Sequence, residues 1–111
     1  MTTFDEREKG YEALLAHDED LRFRAYVRRN KQLGLWAAER LGKSDEAAEA
    51  YAAALIKTHL EGDGDESVFA KLRADFAAAG LPESDHQIRR EMAETLAQAT
   101  REISSRGTPA H

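Results

Sequence analysis

Glutamate and histidine side chains are the residues of this chain that could hold a metal centre. A di-metal site in a helical bundle needs two Glu-x-x-His units and two further glutamates on facing helices. Only Glu83 and His86 have the required spacing. The remaining histidines have no glutamate three residues earlier, and they are His17, His59 and His111. We therefore expect histidines that cap helices or face solvent, and no metal site.

The acidic segment from Glu61 to Glu66 contains glycines and is similar to the start of a calcium loop. Asp63 and Asp65 stand at the first and third positions of such a loop. A calcium loop needs glycine at its sixth position for a sharp turn, and Val68 stands there. We therefore interpret the segment as an ordinary loop between two helices.

Residue patterns for covalent catalysis and for phosphate chemistry are also missing from the sequence. The chain contains no cysteine, which excludes thiol catalysis, disulfides and cysteine-ligated zinc. No glycine-rich phosphate loop follows a strand, and no Ser, His and Asp set has the sequence context of a hydrolase. We therefore do not expect an enzyme.

A cluster of positive charge is the remaining candidate for ligand binding. Residues 21–43 carry seven bases and one acid, whereas residues 1–20 and 44–66 each carry seven acids. The acidic flanks repel the phosphates of nucleic acid, but the smaller phosphate group of ADP or ATP could bind weakly. Alternatively, the bases form a solvated face that pairs with acids one helical turn earlier. The cluster consists of Arg22, Arg24, Arg28, Arg29 and Lys31.

Length and composition favour one all-α domain. The chain has 111 residues, of which 41% are hydrophobic and 33% charged, with a net charge of −5. Alanine, the best helix former, is abundant, and β-branched residues are sparse. No apolar run approaches the length of about 18 residues that a membrane-spanning helix needs. The N-terminus is too acidic for a signal peptide, so we expect a cytoplasmic protein.

Start and stop signals after residue 18 predict four helices. Glycine ends a helix because it readily adopts the left-handed conformation, and short polar side chains begin one by accepting backbone hydrogen bonds. The expected signals are Gly42 and Gly80 as terminators, Ser44 and Asp65 as N-caps, and Ser84 with Gln87 as a capping box. The face expected to pack inward on the first helix comprises Phe23, Tyr26, Val27, Asn30, Leu33, Ala37 and Leu41.

The residues before His17 carry a separate and thinner apolar stripe. At about 100° per residue, the mean direction of Phe4, Tyr11 and Leu15 lies about 80° from that of the first helix's core face. Gly10 costs a helix there about 1 kcal/mol. We therefore expect this segment to be disordered alone and to become helical when a partner supplies the missing surface.

Longer strings of residues point to a known family. They are Phe4-Asp5-x-Arg7-Glu8, Ala16-His17-Asp18-Glu19-x-Leu21-x-Phe23 and Arg28-Arg29-Asn30-x-x-Leu33-Gly34-x-Trp36-Ala37-Ala38-x-x-Leu41-Gly42. Shorter strings follow at Ala50-Tyr51-Ala52, Val68-Phe69-x-Lys71, Asp75-Phe76 and Arg90-x-Met92. Together they resemble the zeta subunit of alphaproteobacterial F-type ATP synthase, from Thr2 to about Ile103.

This resemblance implies a four-helix bundle with a mobile N-terminal segment. It divides the chain into an inhibitory segment, 1–18, a bundle, 19–104, and a flexible tail, 105–111. In the family, the segment enters the catalytic head beside the central rotor and blocks rotation in the hydrolysis direction. The implied contacts are Phe4, Arg7, Tyr11, Leu14 and Leu15. Such a protein would be peripheral to the inner membrane through the synthase, without inserting into the membrane or binding nucleic acid.

Two other functions remain open from the sequence. One is a helical adaptor that uses the basic cluster on an acidic partner, and the other is a regulatory protein that binds adenine nucleotide weakly at the same cluster. The displaced apolar stripe favours the inhibitor, because neither an adaptor nor a nucleotide sensor needs it.

Overall fold

Four α-helices make up the computed structural model, which describes the backbone of residues 18–107 and side chains from 18 to 104. They are α1 (Glu19–Arg40), α2 (Asp45–Glu61), α3 (Asp65–Ala78) and α4 (Asp85–Gly107). These residues contain no strand, so the predicted all-α architecture of four helices is confirmed. The expected mobile segment, apart from Asp18, and the end of the expected tail lie outside the described residues.

Local signals fix three of the helix ends as predicted. Gly42 and Gly80 follow α1 and α3 with φ of 78° and 72°. After Gly42, the backbone N–H of Lys43 donates to the carbonyl oxygen of Ala38, a bond typical of glycine-terminated helices. At the start of α4, the backbone N–H groups of Ser84 and Gln87 donate to each other's side chains at 2.8 and 3.1 Å. These bonds form the predicted capping box.

The connection between α2 and α3 is shorter than predicted. Glu61 still belongs to α2, and only residues 62–64 separate the two helices. Gly64 occupies the N-cap position of α3, so the prediction that Asp65 caps this helix is wrong. The Asp65 carboxylate instead accepts a hydrogen bond from a distant arginine.

The core lies between α1 and the other three helices. α1 packs against both α2 and α4, and α3 bridges α2 and α4 on the other side. The apolar stripe of α4 is buried, as are the main apolar residues of α3. The largest core side chains are Leu33, Leu55, Val68, Leu72, Phe76, Ile88 and Met92. Trp36 covers the edge of this core with its ring 5.6 Å from that of Phe76.

The prediction that Phe23 packs into the core is wrong. Its side chain is 54% exposed, although Ala25, two residues later, is fully buried against Leu96 and Ile103. Helical spacing placed Phe23 near the core direction, but no described element covers it on the outer edge of α1. It contributes to a groove described below.

Helices α1 and α2 approach each other closely at Gly34. A Cβ atom added there would lie 2.6 Å from the Cα atom of Ala52. Only glycine allows this distance without moving a backbone.

We predict that Gly34→Ala lowers the free energy of unfolding. The higher helix propensity of alanine favours the substitution by about 0.5–1 kcal/mol, but overpacking against Ala52 costs about 1–3 kcal/mol. Urea denaturation measures the difference. Ala53→Gly, at an exposed position of α2, reports the propensity effect alone. A more stable Gly34→Ala protein would contradict the close approach.

Candidate functional site

One buried positive charge joins the elements of the bundle. Arg29 of α1 is 1% exposed and is the only charged residue buried among those described. Its Nε donates to Oδ1 of Asn30 at 2.8 Å, and its Nη1 donates to the carbonyl oxygen of Met92 at 3.2 Å. Its Nη2 donates to the carboxylate of Asp65. Arg29 therefore links α1 to both α3 and α4.

Two aromatic rings complete this buried network. The guanidinium of Arg29 lies 5.1 Å from the ring centroid of Tyr26. The ring of His59, from α2, stacks on Tyr26 with centroids 4.9 Å apart and an interplanar angle of 21°. His59 Nε2 also lies 3.6 Å from Oδ1 of Asp65. Side chains or backbone atoms of all four helices thus meet around one charge.

The network favours the neutral form of His59 more than an aqueous environment would. Burial lowers its pKa from the ordinary value of 6.5, and the positive charges of Arg29 and Arg22 act in the same direction. Asp65 opposes them, but its effect is smaller than that of burial.

The sequence missed the role of Arg29 and of its partner Asp65. We expected Arg29 in an exposed basic cluster and Asp65 at a helix cap. Instead the buried Arg29 pairs with the partly exposed Asp65, 36 positions further along the chain. One signal was available: Arg29 precedes the buried Leu33 and Ala37 by one and two helical turns. The prediction that Asn30 packs inward is confirmed, and its side-chain oxygen accepts a hydrogen bond from Arg29.

A groove on the outer edge of the bundle gathers part of the basic cluster. It encloses about 400 Å³ between the first half of α1 and the end of α4. Its lining, the basic groove, consists of Phe23, Arg24, Val27, Arg28, Lys31 and Ile103. Three apolar side chains thus share the groove with three cations.

The structure does not bring the five predicted cations into one anion site. Arg24 pairs with Asp20 at 3.2 Å, as predicted for acids one turn earlier. Arg22 lies over the ring of Tyr26, with its Cζ 5.9 Å from the centroid, and Arg29 points into the core. Only Arg24, Arg28 and Lys31 line the groove. Nucleotide binding at the five-residue cluster stays a prediction.

Glu102 fastens the end of α4 to α1 beside the groove. Its carboxylate accepts hydrogen bonds from Arg28 at 2.6 Å, Gln32 at 2.8 Å and Gln98 at 3.1 Å. These bonds, that of Arg28 first, lower the pKa of Glu102 to about 2. The carboxylate is therefore charged at neutral pH, and Arg28 is already paired within the bundle.

Asp18 defines where the bundle begins. Its carboxylate accepts a hydrogen bond from the backbone N–H of Leu21 at 3.0 Å, as an N-cap does. Its backbone is extended, with φ of −143° and ψ of 99°. α1 therefore starts at Glu19, directly after Asp18. The predicted contacts Phe4, Arg7, Tyr11, Leu14 and Leu15 lie before this point, outside the described residues.

Two further properties of the described residues concern metal binding and membrane spanning. Among the described side chains, no three His, Asp or Glu residues are grouped so that they could hold a metal ion. None of the four helices has a stretch long and apolar enough to cross a membrane.

One of the comparisons with known proteins identifies a family. A family model described as ATPase inhibitor subunit zeta matches residues 1–102. A chain described as a solution NMR structure shares 35% sequence identity, with a TM-score of 0.67 over 78% of this chain and 98% of that chain. A search of curated proteins found no match.

We predict that Arg29→Met destabilises the bundle by about 2–3 kcal/mol, because Asn30 and the Met92 carbonyl lose their buried donor. The matched control is Arg28→Met, which removes a partly exposed ion pair and should cost less than about 1 kcal/mol. Denaturant unfolding compares the two variants. Equal losses would show that the buried network does not organise the bundle.

We also predict that acidification destabilises the bundle through His59. Burial lowers the pKa of His59 only in the folded chain, so the unfolded chain binds more protons as the pH falls below about 6.5. The free energy of unfolding should therefore decrease from about pH 6.5 towards the folded-state pKa and should not depend on His59 at higher pH.

Unfolding titrations of His59→Gln test this pH dependence. The variant should lose the slope just below pH 6.5, and His86→Gln, at an exposed position of α4, should keep it. Titration of Glu102 changes the free energy of unfolding only at lower pH, between its ordinary pKa of 4.5 and its folded-state pKa of about 2. An unchanged slope in His59→Gln would exclude His59 as its source.

Proposed function

The chain belongs to the ATPase inhibitor subunit zeta family, and on that premise we propose that it inhibits ATP hydrolysis by F-type ATP synthase. In this proposal, residues 1–18 insert at a catalytic interface of the synthase head, beside the rotor. The observation that carries the proposal is the extent of the family match, which begins at residue 1. The segment before the bundle is therefore part of what the family shares.

The cap at Asp18 supports a division of labour between segment and bundle. Because α1 begins at Glu19 behind an extended residue, the proposal treats residues 1–17 as a unit separate from α1. A segment that enters a narrow interface must be separate from the bundle, because the bundle is too wide to enter with it. The bundle, with principal extents of 46 × 35 × 24 Å, would remain outside and act as a stop.

Apolar side chains in the segment are the proposed energetic centre of the contact. Phe4, Tyr11, Leu14 and Leu15 are surrounded by charged residues, including Arg7. Burying one aromatic or leucine side chain contributes about 1.5–3 kcal/mol, whereas an exposed ion pair contributes less than about 1 kcal/mol. Apolar insertion therefore outweighs the surface charges in this proposal.

Directional inhibition needs no catalytic group in the inhibitor. The catalytic sites of a rotary enzyme turn over in sequence through one shaft, so one blocked interface stops all of them. Rotation that closes the interface on the inserted segment tightens binding, and rotation that opens it releases the segment, because each conformation has its own affinity. We propose accordingly a regulatory subunit without enzymatic activity, held at the inner membrane by the synthase in the cytoplasm.

Removal of residues 1–17 is the first test of this function. The truncated chain keeps the Asp18 cap and all core residues, so its free energy of unfolding should change by less than about 2 kcal/mol. It should no longer inhibit ATP hydrolysis by the synthase, whereas the full chain should slow hydrolysis more than synthesis. Full inhibition by the folded, truncated protein would refute the role of the segment.

We predict, second, that alanine at Phe4, Tyr11 and Leu15 together weakens inhibition at least a hundredfold, since about 1.4 kcal/mol corresponds to tenfold. The stability of the bundle should be nearly unchanged. The control replaces Glu6, Glu8 and Lys9 with glutamine and should have a smaller effect that decreases further with salt. A larger effect of the charge variants at about 0.15 M salt would indicate electrostatic rather than apolar binding.

A further inference from the structure

The basic groove presents apolar surface that no described element covers. Phe23 at its edge is 54% exposed, and among the described large hydrophobic residues only Leu60 is equally exposed. Ile103 forms part of the groove and belongs to the core cluster of Ala25 and Leu96. The groove is therefore continuous with the core, unlike an isolated surface side chain, and a suitable apolar side chain could extend that core.

The charges along the groove select the kind of segment that fits. Arg24 and Arg28 each already have a carboxylate partner. Lys31 has no ion pair among the described residues and is exposed. An occupant with apolar anchors and an excess of acidic side chains would satisfy both the apolar lining and the positive edge.

Residues 1–17 of the same chain have this composition. Their apolar anchors include Phe4, Tyr11, Leu14 and Leu15, and they carry four acids against two bases. They join the bundle at Asp18, only five residues before Phe23. The groove from Phe23 to Lys31 spans about 12 Å of helix, whereas seventeen residues reach up to about 56–61 Å when extended. The tether therefore reaches the whole groove.

Tethering also favours this occupant over a free partner. A short flexible connection holds a segment at an effective concentration in the millimolar range. The extended backbone of Asp18 ends the α1 direction, which permits the chain to turn back along the outer edge of α1. Even a weak contact would then be populated within the molecule.

We propose that residues 1–17 fold back from Asp18 and dock in the basic groove when the protein is free. The docked segment cannot enter a catalytic interface at the same time, so the contact is autoinhibitory. Its regulatory consequence rests on the proposed function, but docking itself does not.

Paramagnetic NMR on the full-length chain tests the docking. Because the sequence has no cysteine, Thr3→Cys accepts a single nitroxide label next to Phe4. The label should broaden the amide signals of Val27, Lys31 and Ile103 more than that of Ala79, which directly follows the C-terminal end of α3. Absence of this selective broadening would overturn the proposal.

Two matched variants identify the groove as the docking surface. Phe23→Ser should remove most of the broadening, whereas Leu60→Ser, at a side chain of equal exposure, should leave it unchanged. Thermal unfolding checks that both variants remain folded. Mixing nitroxide-labelled, isotopically unlabelled protein with ¹⁵N protein separates the occupants: broadening in the mixture would show that a second copy fills the groove, and would overturn docking within one chain.

The regulatory consequence has its own measurement. If docking competes with insertion, only the undocked fraction of the protein can inhibit, and Phe23→Ser raises that fraction towards one. Inhibition of ATP hydrolysis should therefore become about twofold to tenfold stronger. Unchanged or weaker inhibition would overturn the competition, and weaker inhibition would assign the groove to a contact with the synthase. If the full chain does not inhibit at all while the broadening is present, docking stands and the proposed function fails.

Discussion

Burial of the positive charge of Arg29 is the constraint on which the arrangement of the four helices depends. A guanidinium taken from water costs several kcal/mol unless hydrogen bonds and an opposite charge replace its hydration. The replacements come from Asn30 beside it, Asp65 of α3 and the carbonyl oxygen of Met92 of α4. Alanine-rich helix surfaces are nearly alike from turn to turn, so apolar packing alone would tolerate a shifted register. A shift of any of these helices would remove a partner from the charge, and the network therefore specifies one register.

Neighbouring arginines on α1 serve opposite sides of the molecule. Arg28 and Arg29 are separated by about 100° around the helix, so one lies beside the groove and the other enters the core. The inner face of α1 is thereby tied to three helices, and its outer edge remains available. Because Asp18 ends the same helix, α1 positions both the origin of the N-terminal segment and the surface proposed to hold it. A shift of α1 would move the tether and the groove together.

The helix ends could be predicted from the sequence because their causes are local. The left-handed Gly42 and Gly80 and the Ser84–Gln87 capping box depend on residues within a few positions. The Arg29–Asp65 pair could not be placed in the same way, because tertiary packing brings these distant positions together. Helical periodicity likewise placed the Phe23 side chain near the inward face of α1, but it did not show whether another helix packs against that side chain. The segment before Asp18 was recognised from its stripe and the family pattern, which indicate a contact but do not give its geometry.

The two proposed contacts of the N-terminal segment are linked because they use the same anchors. A segment docked nine-tenths of the time binds its target about tenfold more weakly, a difference of about 1.4 kcal/mol. Loss of an anchor weakens insertion, which lowers inhibition, and also weakens docking, which raises inhibition. The gain from weaker docking can offset at most about 1.4 kcal/mol of the loss. Three anchors worth at least about 1.5 kcal/mol each exceed the limit, which leaves insertion dominant. Phe23, by contrast, belongs to the docked contact alone. A change at Phe23 can therefore alter the potency of inhibition without any change in the residues that insert. Under this arrangement the burial of apolar surface in the groove sets how strongly the N-terminal segment docks. The basic side chains along the groove favour an acidic segment as the occupant.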